Sequence, residues 1–206
     1  MVLQIGGEIM NNQLTLGLDI DGTITDPATF IPHINKAFNK HLSFEDITQF
    51  HLSPLYGITD KEFFTWFSKN AGPIYAQADL AESAKEILTE WKEKHHLIYI
   101  SARHKKHHEL TLNWFAEHSI PFDEILLTGS HNKIQITKEK GIELFFEDKL
   151  DNANEIAETV AIPVLLFNTP YNQGNEHSLV HRVTNWLEAK SYVDQYARRK
   201  APNSHR

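Results

Sequence analysis

The sequence predicts an α/β fold, a parallel sheet flanked by helices with a small helical insertion after the first strand. Three observations lead there. Short apolar runs near residues 14–18, 97–100, 124–127, 144–146 and 162–167 have strand length and end in acidic, hydroxyl or turn residues. Segments with helical periodicity alternate with the later runs. Between the first run and the second, residues 27–78 carry helix starts and no strand pattern. Alternating strands and helices imply right-handed crossovers, which bring every strand's C-terminal end to one edge of the sheet.

The organising stretch is LTLGLDIDGTITD, residues 14–26. Leu14, Leu16 and Leu18 alternate with small residues and deliver Asp19 to the end of a buried strand. Asp21 follows two positions later. Two carboxylates this close repel each other, and burying both is costly unless a cation or phosphoryl chemistry uses them. Gly22 permits a sharp turn, and Thr23 places a hydroxyl beside backbone amides.

In residues 27–78, Ile34, Ala37, Phe38 and His41 recur at helical spacing, while Ser43 with Asp46 and Thr59 with Glu62 read as helix starts with an acid in the first turn. The aromatics Phe63, Phe64, Trp66 and Phe67 wrap too far round a short helix to face one core stripe, so some of them should line a second surface. Residues 80–94 form an amphipathic helix through Leu80, Ala84, Ile87, Leu88 and Trp91. HLIYISAR is the second strand and ends at Ser101, whose hydroxyl can donate to an anion. Arg103 begins a cationic run through His108 that could attract an anionic substrate.

A helix using Leu110, Trp114 and Phe115 ends before Pro121, and EILLTG forms the third strand. Ser130 is expected to cap the next helix. Lys133 then falls in its first turn, where a cation opposes the helix dipole unless an anion is bound there; Lys138, in the last turns, is the rival. The fourth strand ends in a second acidic pair, Glu147 and Asp148, oxygen donors of the kind a hard divalent cation selects. Asp151 and Asn152 follow in IELFFEDKLDN. A fifth strand over 162–167 leads into FNTPYNQG, and residues 177–197 complete the chain's core as one helix through Leu179, Val180, Val183, Trp186, Leu187 and Val193.

These motifs resemble the haloacid dehalogenase (HAD) superfamily, whose phosphatase members carry DxDGT after the first strand, a Ser or Thr after the second, a Lys that holds the phosphoryl group as the third motif, and an acidic pair after the fourth. The DIDGT start, the NKI lysine turn, FFEDKLDN and FNTPYN are more narrowly similar to a bacterial nucleotidase branch related to 5'(3')-deoxyribonucleotidases. One departure is that Ser101 is followed by Ala102-Arg103, where those nucleotidases commonly carry Ser/Thr-Pro-type residues. The resemblance covers nearly the whole chain. It implies a HAD-like Rossmannoid three-layer fold with strand order 5-4-1-2-3, a catalytic core of residues 14–26 and 79–198, a cap of residues 27–78, and poorly ordered termini at 1–13 and 199–206.

By the same resemblance, Asp19 is the nucleophile and Asp21 the general acid/base of a phosphomonoesterase. Gly22, Thr23, Ser101 and Lys133 bind phosphate. Mg2+ is held by Asp19, the backbone carbonyl of Asp21 and Asp148, supported by Glu147 or Asp151 through water, with Asn152 orienting the shell. Phe63, Phe64, Trp66, Phe67 and Arg103 are weaker candidates for the substrate pocket. The implied substrate is a small phosphorylated metabolite, a nucleoside monophosphate above others, with sugar and amino-acid phosphates as alternatives. A phospho-accepting receiver would need neither Asp21 nor an insertion over the site, and a non-catalytic binding fold would not need the full acid, hydroxyl and lysine set.

Composition is consistent with this. The 206 residues suffice for one buried domain plus an insertion. Twenty Lys+Arg against 27 Asp+Glu give a net charge of −7, which argues against nonspecific binding to nucleic acid or an anionic membrane. The absence of Cys excludes a disulfide framework and thiolate catalysis and suits a cytoplasmic location. No run is apolar and long enough to span a bilayer, and the first residues lack the basic and apolar regions of a secretory signal. Gly6-Gly7-Glu8 before Met10 can be encoded by a purine-rich ribosome-binding sequence, which points to Met10 as the natural start. A homodimer is compatible with all of these features.

Overall fold

A computed structural model describes residues 13–200. The expected Met10 start and most of the expected unstructured termini lie outside the described residues. Six parallel strands form one sheet: β1 (Thr15–Leu18), β2 (His96–Ser101), β3 (Glu124–Leu127), β4 (Leu144–Glu147), β5 (Val164–Phe167) and β6 (Val180–Val183). Their order is β3-β2-β1-β4-β5-β6. The expected 5-4-1-2-3 order is present, extended by a sixth strand beyond β5.

That sixth strand corrects the reading of 177–197 as a single helix. Val180 and Val183 stand three apart, on one face of a helix but on opposite faces of a strand, and here each packs into a different apolar layer. Tertiary pairing decides between them. The β5 edge would otherwise carry unpaired backbone groups, and instead the Val164 amide donates to the Leu179 carbonyl and the Asn168 amide to the Val183 carbonyl. The helix starts only afterwards, as α8 (Trp186–Lys200).

Two apolar layers cover the sheet. On one face Leu16, Leu18, Tyr99 and Phe146 pack with three fully buried tryptophans, Trp91, Trp114 and Trp186. These come from α4 (Ala84–Lys92), α5 (His108–His118) and α8. The Trp186 ring lies nearly parallel to that of Phe146, with centroids 5.9 Å apart. Truncating a buried Trp of this kind costs about 3–5 kcal/mol. On the other face Ile98, Ile100, Phe145 and Leu166 meet α6 (Ile134–Glu139) and α7 (Leu150–Val160). Gly17 sits there because a Cβ would come within 2.6 Å of the Phe145 ring.

Residues between β1 and α4 build a separate helical body from α1 (Ile31–Phe38), α2 (Ser53–Tyr56) and α3 (Asp60–Ala76). Its own apolar cluster contains Ile31, Ile34, Ile47 and Tyr56, with Phe38, Phe63 and Trp66 packed on them. Thr59 caps α3 by accepting from the Glu62 amide, and Glu62 accepts in return from the Thr59 amide. The pair Ser43 and Asp46 initiates only a 3-10 turn, Phe44–Asp46. Both ends of the insertion are tied together where the Asp26 amide donates to the Asp79 carbonyl and the Ala81 amide to the Ile24 carbonyl, each at 2.9 Å. Leu80 therefore belongs to this bridge opposite Thr25 and does not open a helix, which begins at Ala84. No described helix is long and apolar enough to cross a membrane.

Candidate active site

Strand order reverses between β1 and β4, so the loops that follow these two neighbouring strands diverge and open a crevice at their C-terminal ends. Asp19, Glu147 and Asp148 stand there, all buried, each with a carboxylate oxygen within 4.8 Å of the others. The Asp19 amide donates to the Phe146 carbonyl at 3.0 Å and carries the sheet pairing into the site. Lys133 answers part of the charge: its Nζ donates to Asp19 Oδ1 at 2.6 Å and to Glu147 Oε2 at 2.8 Å, with the side chain only 1 % exposed. This lysine lies at the N-cap of a short α6, one step before the expected first turn, and Ser130 does not cap the helix.

Three carboxylates against one ammonium leave an excess of negative charge. Burial pushes the Asp19 carboxyl up to about 7 despite the pull of Lys133, with Glu147 and Asp21 adding to the rise. Asp148 is also driven well above the usual carboxylate range, by burial first and then by Glu147 and Asp19. The Tyr171 hydroxyl opposes this by donating to Asp148 Oδ2 at 2.6 Å. At Glu147 burial is the largest influence and acts upward, but the Lys133 charge together with the hydrogen bonds Glu147 accepts holds the carboxyl below its ordinary value. Buried oxygen donors with uncompensated charge suit a hard cation such as Mg2+. Gly22 is fitted to them, since a Cβ at its positive φ of 79° would meet Asp148 Oδ2 at 2.3 Å.

Asp21 points along the crevice to a different partner. Arg103 donates from Nε to Asp21 Oδ2 at 2.9 Å and from Nη2 to Oδ1 at 2.7 Å. The Arg103 side chain is fully buried, donates from Nη1 to Thr111 Oγ1 at 3.2 Å, and lies with its guanidinium carbon 4.0 Å from the Tyr75 ring centroid. Arg103 borders the cavity as expected of a pocket residue, yet its fork is engaged by Asp21.

The remaining candidates divide. Ser101 is buried at the end of β2, where its Oγ accepts from the Arg103 amide at 3.2 Å, leaving its proton for a ligand in the cavity it lines. Thr23 is buried but does not border that cavity, and its hydroxyl has no partner among the described residues. The Gly22 amide donates to Thr25 Oγ1 at 3.0 Å. Asp151 is exposed on α7 and borders a neighbouring cavity, outside the acidic cluster. Asn152 is buried with its Nδ2 unpartnered among the described residues. Asn172 braces the site instead, donating from Nδ2 to the carbonyls of Asp148 and Phe167, both at 2.7 Å. Tyr171 and Asn172 were not singled out from sequence, although both lie in the FNTPYNQG loop following a strand of the same edge.

A cavity of about 500 Å³ extends from Asp19 beneath the helical insertion. Phe63, Phe64 and Phe67 line it, joined by Phe30 and Tyr75. Trp66 does not; it packs against Phe38, ring centroids 5.8 Å apart, within the insertion's own core. Elsewhere on the wall the Lys149 ammonium lies 4.5 Å from the Phe50 ring centroid, and His131 meets the same ring edge-on.

Comparison with known proteins identifies the family and the fold. Residues 12–200 match the family model of the 5' nucleotidase, deoxy (pyrimidine), cytosolic type C protein. The chain is 47% identical over 190 residues to "Putative nucleotidase BH1399" of Halalkalibacterium halodurans, covering 92% of this chain and 97% of that protein. It is 46% identical over 181 residues to "Putative nucleotidase YqfW" of Bacillus subtilis, covering 88% and 94%. Among solved structures it is similar in fold to the haloacid dehalogenase-like hydrolase SP0104 of Streptococcus pneumoniae, with a TM-score of 0.64 at 15% identity and coverage of 89% and 99%.

Proposed function

Because this chain belongs to the cytosolic type C 5'-nucleotidase family, and so is a HAD-like phosphomonoester hydrolase, we propose that it is a Mg2+-dependent phosphatase of (deoxy)nucleoside 5'-monophosphates working through an aspartyl phosphate. The observation that carries this reading is the position of Asp19, buried on Lys133 and bordering an aromatic-walled cavity. Residues 27–78 act as the cap that supplies that wall. An apolar, ring-lined cavity suits a flat base better than a sugar or amino acid, whose hydroxyls and charges would lose water there without partners.

In the proposed reaction an Asp19 oxygen attacks phosphorus in line, the bond to the ester oxygen breaks, and Asp21 gives that oxygen a proton. Asp21 then takes a proton from the water that opens the acyl phosphate, returning Asp19 and inorganic phosphate. Lys133 and Ser101 meet the charge on the phosphoryl oxygens, and Lys133 also lowers the electrostatic cost of bringing a dianion to a carboxylate. Mg2+, held by Asp19, Asp148 and the Asp21 backbone carbonyl, would supply further neutralisation of the phosphoryl group. Glu147 fixes Lys133, and Tyr171 with Asn172 fix Asp148.

A panel of nucleoside, sugar and amino-acid monophosphates, assayed for released phosphate with Mg2+ and with chelator, tests the proposal. Nucleoside monophosphates should be preferred and chelator should abolish turnover. Preference for a sugar or amino-acid phosphate would refute the substrate, and undiminished metal-free turnover would refute the mechanism.

A further inference from the structure

The proposed reaction requires Asp21 to face first a leaving oxygen and then a water, yet nothing on its own loop holds its side chain in place. The carboxylate is bound instead by a residue 82 positions away. Both Asp21 oxygens accept from the Arg103 fork, at 2.9 and 2.7 Å. A paired guanidinium fixes the plane of a carboxylate as well as its distance, which a point charge does not. Each carboxylate oxygen offers about two acceptor directions, so the fork leaves Asp21 a direction open to the cavity that it borders.

The arginine is itself held on three sides. Its side chain is fully buried, Thr111 of α5 accepts from Nη1, and Tyr75 from the last turn of α3 lies beneath the guanidinium. Tyr75 in turn touches Phe30 and Phe67, with ring centroids 5.7 and 6.3 Å away, both part of the cavity wall. One carboxylate, one hydroxyl and one ring face thus constrain the buried guanidinium from three sides. We infer that Arg103 is the positioning residue of the reaction: it aims Asp21 at the ester oxygen and at water, and through Tyr75 its own placement depends on the insertion being seated over the core. This rests on the proposed acid/base role of Asp21.

Leaving-group dependence tests the inference, because a misaimed acid matters when the leaving oxygen needs a proton and little when it does not. The probes are 4-nitrophenyl phosphate, whose phenolate leaves unaided, and 2-phenylethyl phosphate, whose alkoxide does not. For Asp21→Asn and Arg103→Lys, kcat/KM on the alkyl ester should fall roughly 100-fold, the lower part of the range for general acid catalysis, and change less than about 3-fold on the aryl ester. Rapid mixing with the aryl ester should release a burst of nitrophenolate approaching one per chain, since the second step needs the same residue. Thr111→Val, nearly isosteric and remote from the cavity, should give the same signature at about 3-fold, the scale of one hydrogen bond; it keeps the test open if Arg103→Lys fails to fold. Equal losses of Arg103→Lys and Thr111→Val on both esters, without a burst, while Asp21→Asn keeps the signature, would overturn the inference and leave the proposed function standing. Absence of the signature in Asp21→Asn as well would overturn both.

Discussion

Asp19→Asn should abolish turnover and yet stabilise the metal-free protein. Asn replaces the carboxylate at nearly constant volume and keeps an acceptor for Lys133 Nζ, which lies 2.6 Å from Asp19 Oδ1 and retains Glu147. What is lost is one of three buried negative charges set against one ammonium. Burial raises the Asp19 carboxyl from 3.8 to about 7, and at about 1.4 kcal/mol per pH unit this sets a ceiling of about 4 kcal/mol on the cost of ionising it in the folded chain. Chain relaxation and water entering the crevice reduce such penalties, leaving about 1–3 kcal/mol. The sign with pH follows from proton binding. Below about pH 4 the group is protonated in folded and unfolded chains alike. Between about pH 4 and 7 the folded wild type holds the proton more tightly, so its stability falls as pH rises through this window. The variant has no such group, and its advantage should therefore be small at pH 4 and complete above pH 7. Thermal melts in chelator at pH 8 should place Asp19→Asn about 3–9 °C above wild type. Excess Mg2+ should narrow or reverse the gap, because wild type regains a ligand and binding stabilises the folded state by mass action. A variant that melts well below wild type in chelator at pH 8 would refute the picture of an overcharged site.

Three further tests address the supports of the site. Gly22→Ala places a Cβ 2.3 Å from Asp148 Oδ2 at a φ of 79°; activity should drop by about 100-fold from the displaced carboxylate, and wild-type kcat with unchanged Mg2+ dependence would contradict that geometry. Tyr171→Phe removes the hydroxyl that orients Asp148, so the Mg2+ concentration for half-maximal activity should rise about 10-fold; an unchanged titration would count against Asp148 as a ligand. Phe63→Ala should change the ratio of kcat/KM between a nucleoside monophosphate and a small alkyl phosphate, since its ring lines the cavity. Trp66→Ala should instead lose about 2 kcal/mol of stability, roughly half the cost at a fully buried Trp site, and alter both substrates alike; a selectivity change in Trp66→Ala alone would reverse these assignments.

The sequence determined by itself the parallel core, its C-terminal edge and the residues converging there, because each is encoded locally. A short apolar run followed by an acid or a hydroxyl places that group at a strand end whatever surrounds it, and so Asp19, Ser101, Glu147 and Asp148 could be located one by one. Lys133 could be found from a cation standing where a helix start disfavours it. Tertiary structure alone decided the rest, since it depends on pairings between distant segments. Val180 and Val183 are a strand because the β5 edge recruits them, and Trp66 differs from Phe63 only by the direction in which α3 presents each ring. Asp148 is held by Tyr171 and Asn172, more than twenty residues further along the chain. Most consequentially, Arg103, which the sequence offers only as the start of a cationic run and a candidate for the pocket, is buried on the Asp21 carboxylate 82 residues away. Local pattern reports which chemistry a segment offers; only the packed chain brings a charge to its counter-charge, because burial and pairing are properties of the contact and not of either residue.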